Sequence, residues 1–393
     1  MTRNFLQHLY EGRPYSSDIN WDFVESFPEI KRLMECQQNP KWHSEGDAWK
    51  HTRLAYEKLE NEVFLNDFAL FYSFNDEELK IIRTAVILHD IGKGTTTSVG
   101  KDGNWHSYGH EVEGEKIARV LLWNEDIDKR EVICSLIRFH MEPLRIFDSK
   151  NWLQKIIEIG CRVPWKYLYC VKMADLLGSV QENGGTMVED IMKLNFIKDT
   201  TKTLGLWAPN ADRSQFQKII KHTVNRNHLP WKVNKEQDTK VAYFMIGLPG
   251  AGKNTWIENN LSYVENITVI SRDDVRVELG YCLPNEKFVG TEDEEAIVTQ
   301  RFNGKLKHSI SEGQTIVLND MNLKKKYRET PLFWLKEAGY TIIYVYVEAP
   351  TLDFNYQRRE GQIKADIIHS LALTLEWPDV TEYDKLIISK QIW

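Results

Sequence analysis

The sequence predicts a two-domain protein, an all-α bundle followed by an α/β domain with a parallel sheet, and three observations carry that expectation. Apolar residues recur at three- and four-residue spacing up to about Trp231. From Val241 onward, short runs of β-branched and aromatic residues alternate with helical stretches, the pattern of strands that lie parallel under covering helices. Between the two lies a polar, proline-bearing stretch, 225–240, that shows neither period and reads as a connector. The expected division is a first domain over 1–231, a linker over 232–240 and a second domain over 241–393.

In the first half, Asn75 and Glu78 form a capping box that opens a segment in which Leu79, Ile82, Val86 and His89 share a helix face. Comparable periodicity predicts helices over 47–64, 111–123, 128–139 and 165–177. In the second half, strands are expected at 241–246, 267–270, 315–318, 341–347 and 386–388. A chain of 393 residues can fill two or three cores.

Composition narrows the function classes. Lys and Arg number 50 against 57 Asp and Glu, a net charge of -7, so any bound polynucleotide must be held by local basic patches. Five scattered cysteines form no CxxC pair, which suits reduced thiols. The apolar runs fall far short of the ~20 residues that span a bilayer. The first residues lack the apolar core of a secretory signal, so a cytoplasmic protein with no membrane partner is expected.

Residues 247–255 read GLPGAGKNT. Glycines at such spacing let backbone amides curl around phosphate oxygens at a helix N-terminus while a lysine bridges the outer phosphates. A strand-like run precedes this P-loop and a helical stretch follows it, as the motif requires. Gly247, Gly250, Ala251, Gly252, Lys253, Asn254 and Thr255 are therefore the candidate contacts for ATP or another nucleoside triphosphate with Mg2+. Asn254 stands where a hydroxyl residue normally ligates magnesium, and its amide carbonyl is a hard oxygen that can serve instead.

After the second strand comes Ser271-Arg272-Asp273-Asp274-Val275-Arg276, with carboxylates at the C-terminal strand end where α/β sheets keep catalytic groups. Phosphoryl transfer to a hydroxyl needs such a carboxylate and a nearby arginine for an anionic acceptor. Together with Asp320-Met321-Asn322-Leu323 after a later strand, the set resembles the 5′-OH polynucleotide kinase of bacteriophage end-healing enzymes. That resemblance implies Asp273 as general base, Arg276 on the acceptor phosphate, and Asp320 holding Arg276 or lying in the metal's outer shell. It also implies an arginine-bearing lid at 357–361, with Arg358 or Arg359 on the donor phosphates. The run 324–328, KKKYR, is either a local basic patch or a solvated helix start.

Six of the 11 histidines, at 43, 51, 89, 106, 110 and 140, fall between positions 43 and 140. His89-Asp90 ends an apolar helical stretch and is followed by Gly92-Lys93-Gly94. With the upstream run 42–52, WHSEGDAWKHT, this is similar to the HD phosphohydrolase superfamily and to the HD domain attached to some tRNA nucleotidyltransferases. The resemblance implies His51, His89, Asp90, His110, His140 and Asp175 as ligands of one or two divalent transition metals, with Asp90 bridging if there are two. If His110 and His140 instead touch phosphate, one metal suffices. Lys93 is expected to bind phosphate, and His43 and His106 are expected to be structural.

The pairing resembles the bacterial fusion of an HD phosphohydrolase with a polynucleotide kinase, an end-healing enzyme. It implies NTP-dependent phosphorylation of 5′-OH ends of RNA or DNA by the second domain. The first would remove 2′,3′-cyclic, 2′ or 3′ phosphate, and a nucleic acid ligase would be a functional partner. The alternative is a nucleotide-metabolism enzyme in which the first domain hydrolyses mononucleotides and the second phosphorylates a small molecule.

Overall fold

The computed structural model describes residues 5–11, 18–180, 186–209, 240–283, 288–359 and 363–390. The chain divides into two compact units, Met1–Thr223 and Val224–Trp393. Of the expected linker, 232–239 lie outside the described residues, as do Glu360 and Gly361 of the expected lid.

The first unit is helical, with a single short antiparallel pair, Ser98–Val99 against Trp105–His106, among its described residues. Five helices carry the features that matter below: α1 (Ala48–Lys58), α2 (Asp76–Leu88), α3 (His110–Leu121), α4 (Ile127–Phe139) and α5 (Trp165–Gly178). The start of α1 follows from Gly46-Asp47: Gly46 turns the chain at φ 119, and the Asp47 carboxylate accepts from Lys50 N. After Lys58 the helix continues as a π-helical turn over Leu59–Phe64. The capping box at the start of α2 is present, with Asn75 and Glu78 each accepting from the other's backbone amide.

Helix α5 is buried along nearly its whole length, as a helix that is apolar all round must be. It packs on α1, α2 and α4 and so forms the axis of the bundle. Contact with α1 is close enough to exclude a side chain at Gly178, where a Cβ would lie 2.7 Å from the Cα and N of Ala55. That approach brings Asp175 of α5 to within 3.0 Å of His51 on α1.

The second unit is built on five parallel strands: β1 (Val241–Ile246), β2 (Ile267–Ile270), β3 (Thr315–Leu318), β4 (Thr341–Glu348) and β5 (Lys385–Lys390). Their order is β2-β3-β1-β4-β5. Central β1 buries Phe244, Met245 and Ile246 in succession, as a strand covered on both faces does. Sheet order reverses at β1, so the loops leaving β1, β2 and β3 open on one carboxyl edge, the usual place for a ligand. Among the described residues no helix is long and apolar enough to cross a membrane.

Gly178→Ala forces α1 and α5 apart, and overpacking of this kind costs about 1–3 kcal/mol. Urea unfolding of the full chain, followed by far-UV circular dichroism, should show the helical transition moved to lower urea. An unchanged midpoint would contradict the close contact.

Candidate metal centre and phosphate loop

The histidine cluster lies where α1, α2, α3, α4 and α5 meet. His89 and His140 follow the last residues of α2 and α4, His110 opens α3, and His51 and Asp175 face each other from α1 and α5. All six expected ligands are buried. Glycine at position 92 permits the assembly, because a Cβ there would lie 2.1 Å from the His110 carbonyl oxygen.

Backbone carbonyls set the tautomers. His89 Nδ1 lies 2.7 Å from Val86 O, His110 Nδ1 2.8 Å from Ser107 O, and His140 Nδ1 2.7 Å from Ile137 O. A carbonyl can only accept, so each Nδ1 carries a proton and each Nε2 is left to face the cluster. Asp90 divides these groups. Its Oδ2 is 3.2 Å from His89 Nε2 and 3.8 Å from His51 Nε2, while Oδ1 is 3.4 Å from His110 Nε2 and 3.8 Å from His140 Nε2. Asp175 Oδ1 joins the first group, 3.0 Å from His51 Nε2 and 3.6 Å from His89 Nε2.

Electrostatics differ between the two sides. Burial opposes charge on His89, but Asp90 and Asp175 outweigh it and push its pKa up to about 10. Burial likewise opposes the charge on Asp90, yet His89 and Lys93 hold this carboxyl well below its ordinary range. On the other side, burial lowers the pKa of both His110 and His140, His140 well below the ordinary imidazole value, and a charge on His110 would lower His140 further. With each Nδ1 proton engaged by a carbonyl, the two Nε2 atoms face each other 3.2 Å apart, close enough to share one proton or one metal ion between them. His89 Nε2 and Asp90 Oδ2 are also buried without a hydrogen bond of acceptable geometry. The donor set of imidazoles and carboxylates suits a divalent transition metal.

Two buried lysines stand over the carboxylates. Lys93 Nζ is 2.7 Å from Asp90 Oδ2 and 2.7 Å from Gln38 Oε1, and Lys172 Nζ is 2.6 Å from Asp175 Oδ2. Lys93 was expected near the site; Gln38 and Lys172 were not. His106 sits apart, paired with Asp102 on the short hairpin. His43, expected to be structural, borders the cluster: it shares the carboxylate of Glu45 with His51.

In the second unit the loop after β1 has the predicted form. Gly250 and Gly252 adopt φ of 75 and 96, conformations that glycine reaches without strain. Helix α6 (Lys253–Leu261) starts directly at the lysine. Lys253 Nζ donates to the carbonyls of Gly247 and Leu248 at 2.9 and 3.1 Å, and burial, helped by Arg359, pushes its pKa down to about 8. The influence of Arg359 on Lys253 separates it from Arg358, which is exposed. Asn254 Oδ1 accepts from Asn319 Nδ2 at 2.9 Å, a partner the sequence did not suggest. Ala251 is buried and Thr255 half-buried.

Asp320 departs from expectation. Rather than holding Arg276, its Oδ1 accepts from Arg272 N at 2.9 Å at the start of α7 (Arg272–Glu278). Burial raises its pKa. Arg276 is held instead by Glu295, whose carboxylate takes Nη2 at 2.8 Å and Nε at 3.3 Å from helix α8 (Glu292–Ser311). Its Nη1 reaches Asp273 at 2.6 Å, and the Asp273 side chain is 89% exposed. Asn322 explains the rest of the Asp-x-Asn-Leu run: its side-chain amide donates to Met245 O and Leu318 O, tying β1 to β3, while Met321 O accepts from Gly247 N. The basic run 324–328 is mixed. Lys325 and Lys326 are exposed, but Arg328 is buried against Glu382 and belongs to the core.

These two sites define a chain that joins a helical His/Asp metal-centre domain to an α/β phosphate-loop domain. Comparison with known proteins gives the same division: residues 48–177 match the family model of the HD domain, and residues 243–362 match that of an AAA domain. Over 95 residues the chain is 37% identical to the multifunctional CCA proteins of Actinobacillus pleuropneumoniae serotype 5b (strain L20) and serotype 7 (strain AP76). The match covers 24% of this chain and 20% of each relative, so the chain spans about a fifth of the curated relatives it matches.

Chelator-stripped protein should gain stability when Mn2+ is restored, by about 2.7 kcal/mol at roughly a hundred times its dissociation constant. Thermal unfolding of the full chain with and without Mn2+ measures this. Asp90→Ala should not respond, and a response equal to wild type would remove Asp90 from the site.

Proposed function

We propose that this chain heals broken nucleic acid ends from both sides. The phosphate-loop unit phosphorylates a 5′-hydroxyl at the expense of ATP or another nucleoside triphosphate, and the helical unit removes a 2′,3′-cyclic, 2′ or 3′ phosphate. The observation that carries the reading is the pairing of an exposed Asp273 with Arg276, on the edge that bears the phosphate loop, in one chain with the divided histidine cluster around Asp90.

In the kinase half, the turn made by Gly250 and Gly252 offers backbone amides to the donor phosphates, Gly247 N being held by Met321 O, and Lys253 moves from its carbonyl partners onto the outer oxygens of those phosphates. Asp273 takes the proton of the acceptor hydroxyl as its oxygen bonds the terminal phosphorus, and the bond from that phosphorus to the bridging oxygen breaks to release the nucleoside diphosphate. Arg276, oriented by Glu295, holds the phosphate next to the acceptor hydroxyl. Arg359 closes on the donor phosphates, Arg358 remaining the less favoured of the two. Asn254 with Asn319 offers amide oxygens to magnesium.

In the helical half, His51, His89, Asp90 and Asp175 would hold one metal and Asp90, His110 and His140 a second. Bound there, divalent transition metals supply Lewis acidity that activates water and neutralises phosphoester charge. Lys93 and Lys172 are placed to turn from Asp90 and Asp175 to phosphate oxygens once those carboxylates are engaged. Water adds to phosphorus as one ester P–O bond breaks and supplies the proton of the hydroxyl left on the polynucleotide end; a 2′ or 3′ monoester thereby releases inorganic phosphate, and a 2′,3′-cyclic end opens to a monoester that a second hydrolysis removes. A 3′ phosphate can stand on RNA or DNA, whereas a 2′,3′-cyclic or 2′ phosphate requires RNA, and a nucleic acid ligase would use the product.

An oligonucleotide with a 5′-hydroxyl and a terminal 2′-phosphate, incubated with ATP and divalent metal and mapped at both ends, separates the two activities. Asp90→Ala should abolish phosphate removal and spare 5′ phosphorylation; Asp273→Ala should slow 5′ phosphorylation about 100-fold or more and spare phosphate removal. Loss of both activities in either variant would contradict the assignment.

A further inference from the structure

Three of the four ligand histidines have their Nδ1 proton fixed by the carbonyl three residues earlier, but His51 does not. Its Nδ1 lies 2.9 Å from Glu45 Oε1. The same oxygen is 2.8 Å from His43 Nδ1, and the two rings meet edge to face at 4.7 Å. Glu45's other oxygen accepts from Val180 N at 3.0 Å, and Ser44 adds bonds from N and Oγ to Val180 O, both 2.9 Å. The Glu45 side chain is only 3% exposed. Val180 stands just past the end of α5, the helix that carries Asp175.

We infer that Glu45 is a positioning residue that sets the metal affinity of the half-site formed by His51, His89, Asp90 and Asp175. This rests on the reading of the cluster as a metal centre. A carboxylate accepting from Nδ1 fixes the tautomer that leaves Nε2 as ligand, and it makes that nitrogen a stronger donor than a neutral carbonyl would. Glu45 also ties the loop before α1 to the segment after α5, and so holds His51 and Asp175 at their 3.0 Å separation from outside the cluster.

His43, Glu45 and His51 could alternatively form a third cation site, since their donor atoms lie close together. Geometry speaks against it. Glu45 Oε1 is the acceptor of both Nδ1 protons, and His51 already directs Nε2 at Asp175, so no lone pair of His51 is left for a separate ion. Burial opposes charge on Glu45, yet the two histidines hold its carboxyl well below the ordinary value, as a shared acceptor requires.

Mn2+ binding to the full chain, followed by electron paramagnetic resonance of the free ion, tests the inference in wild type, Glu45→Gln and Glu45→Ala. Glu45→Gln keeps an acceptor without the charge and should weaken one Mn2+ equivalent roughly 10-fold; Glu45→Ala should weaken it up to roughly 100-fold. The equivalent held by Asp90, His110 and His140 should stay unchanged. If Glu45→Ala does not fold, Glu45→Gln decides. Equal affinity in the folded variants overturns the inference, and so does parallel loss of both equivalents with the melting temperature. Failure of wild type to bind Mn2+ would instead overturn the metal-centre reading.

Discussion

Asp90 is a buried carboxylate whose two oxygens face two separate pairs of imidazoles, and the helical unit is organised around keeping it charged there. A lone carboxylate in that position would protonate rather than remain buried as an anion. Lys93, one turn further along the same segment, and the neighbouring His89 oppose this and hold the Asp90 carboxyl well below its ordinary range. The helices are then constrained in turn. Gly92 must lack a side chain for α3 to approach, and Gly178 must lack one for α5 to approach α1. Glycine in these places is a packing requirement imposed by the cluster.

The phosphate-loop unit solves a different problem, the support of a backbone loop that has to present its amides outward. Its carbonyls are taken from behind. Lys253 donates to Gly247 O and Leu248 O and Asn355 to Pro249 O, while Gly247 N is itself bonded to Met321 O and the Asn322 amide bridges the ends of β1 and β3. Three strand-end loops thereby become one rigid edge. The exposed Asp273 stands on it paired with the half-buried Arg276, and Glu295 fixes the arginine from a neighbouring helix.

Much of this was legible in the residues. The runs 241–246, 267–270 and 315–318 coincide with strands because each is a short apolar run bounded by turn-forming residues, and the capping box at Asn75 located the start of α2. His51, His89, Asp90, His110, His140 and Asp175, which the HD resemblance singles out, lie together in one buried cluster. What escaped was support from distant partners. Glu295 lies 19 residues from Arg276, and Glu382 lies 54 residues from the Arg328 it buries. No local period reports such pairs, and of the two places expected for Asp320, holding Arg276 or the metal's outer shell, the first is taken by Glu295 while Asp320 secures the backbone of Arg272. Glu45 was in view within the run 42–52, but only the fold shows that its carboxylate reaches both His43 and His51. The short hairpin at 98–106 was missed because two paired residues are too few to set an alternation.

In the proposed arrangement one carboxylate, Asp90, stands between two metal half-sites. Anomalous diffraction from crystals of the full chain grown with Mn2+ tests it most directly. Two peaks are predicted, one among His51, His89, Asp90 and Asp175 and the other among Asp90, His110 and His140. A single peak, or metal bound by groups that exclude Asp90, would contradict the account.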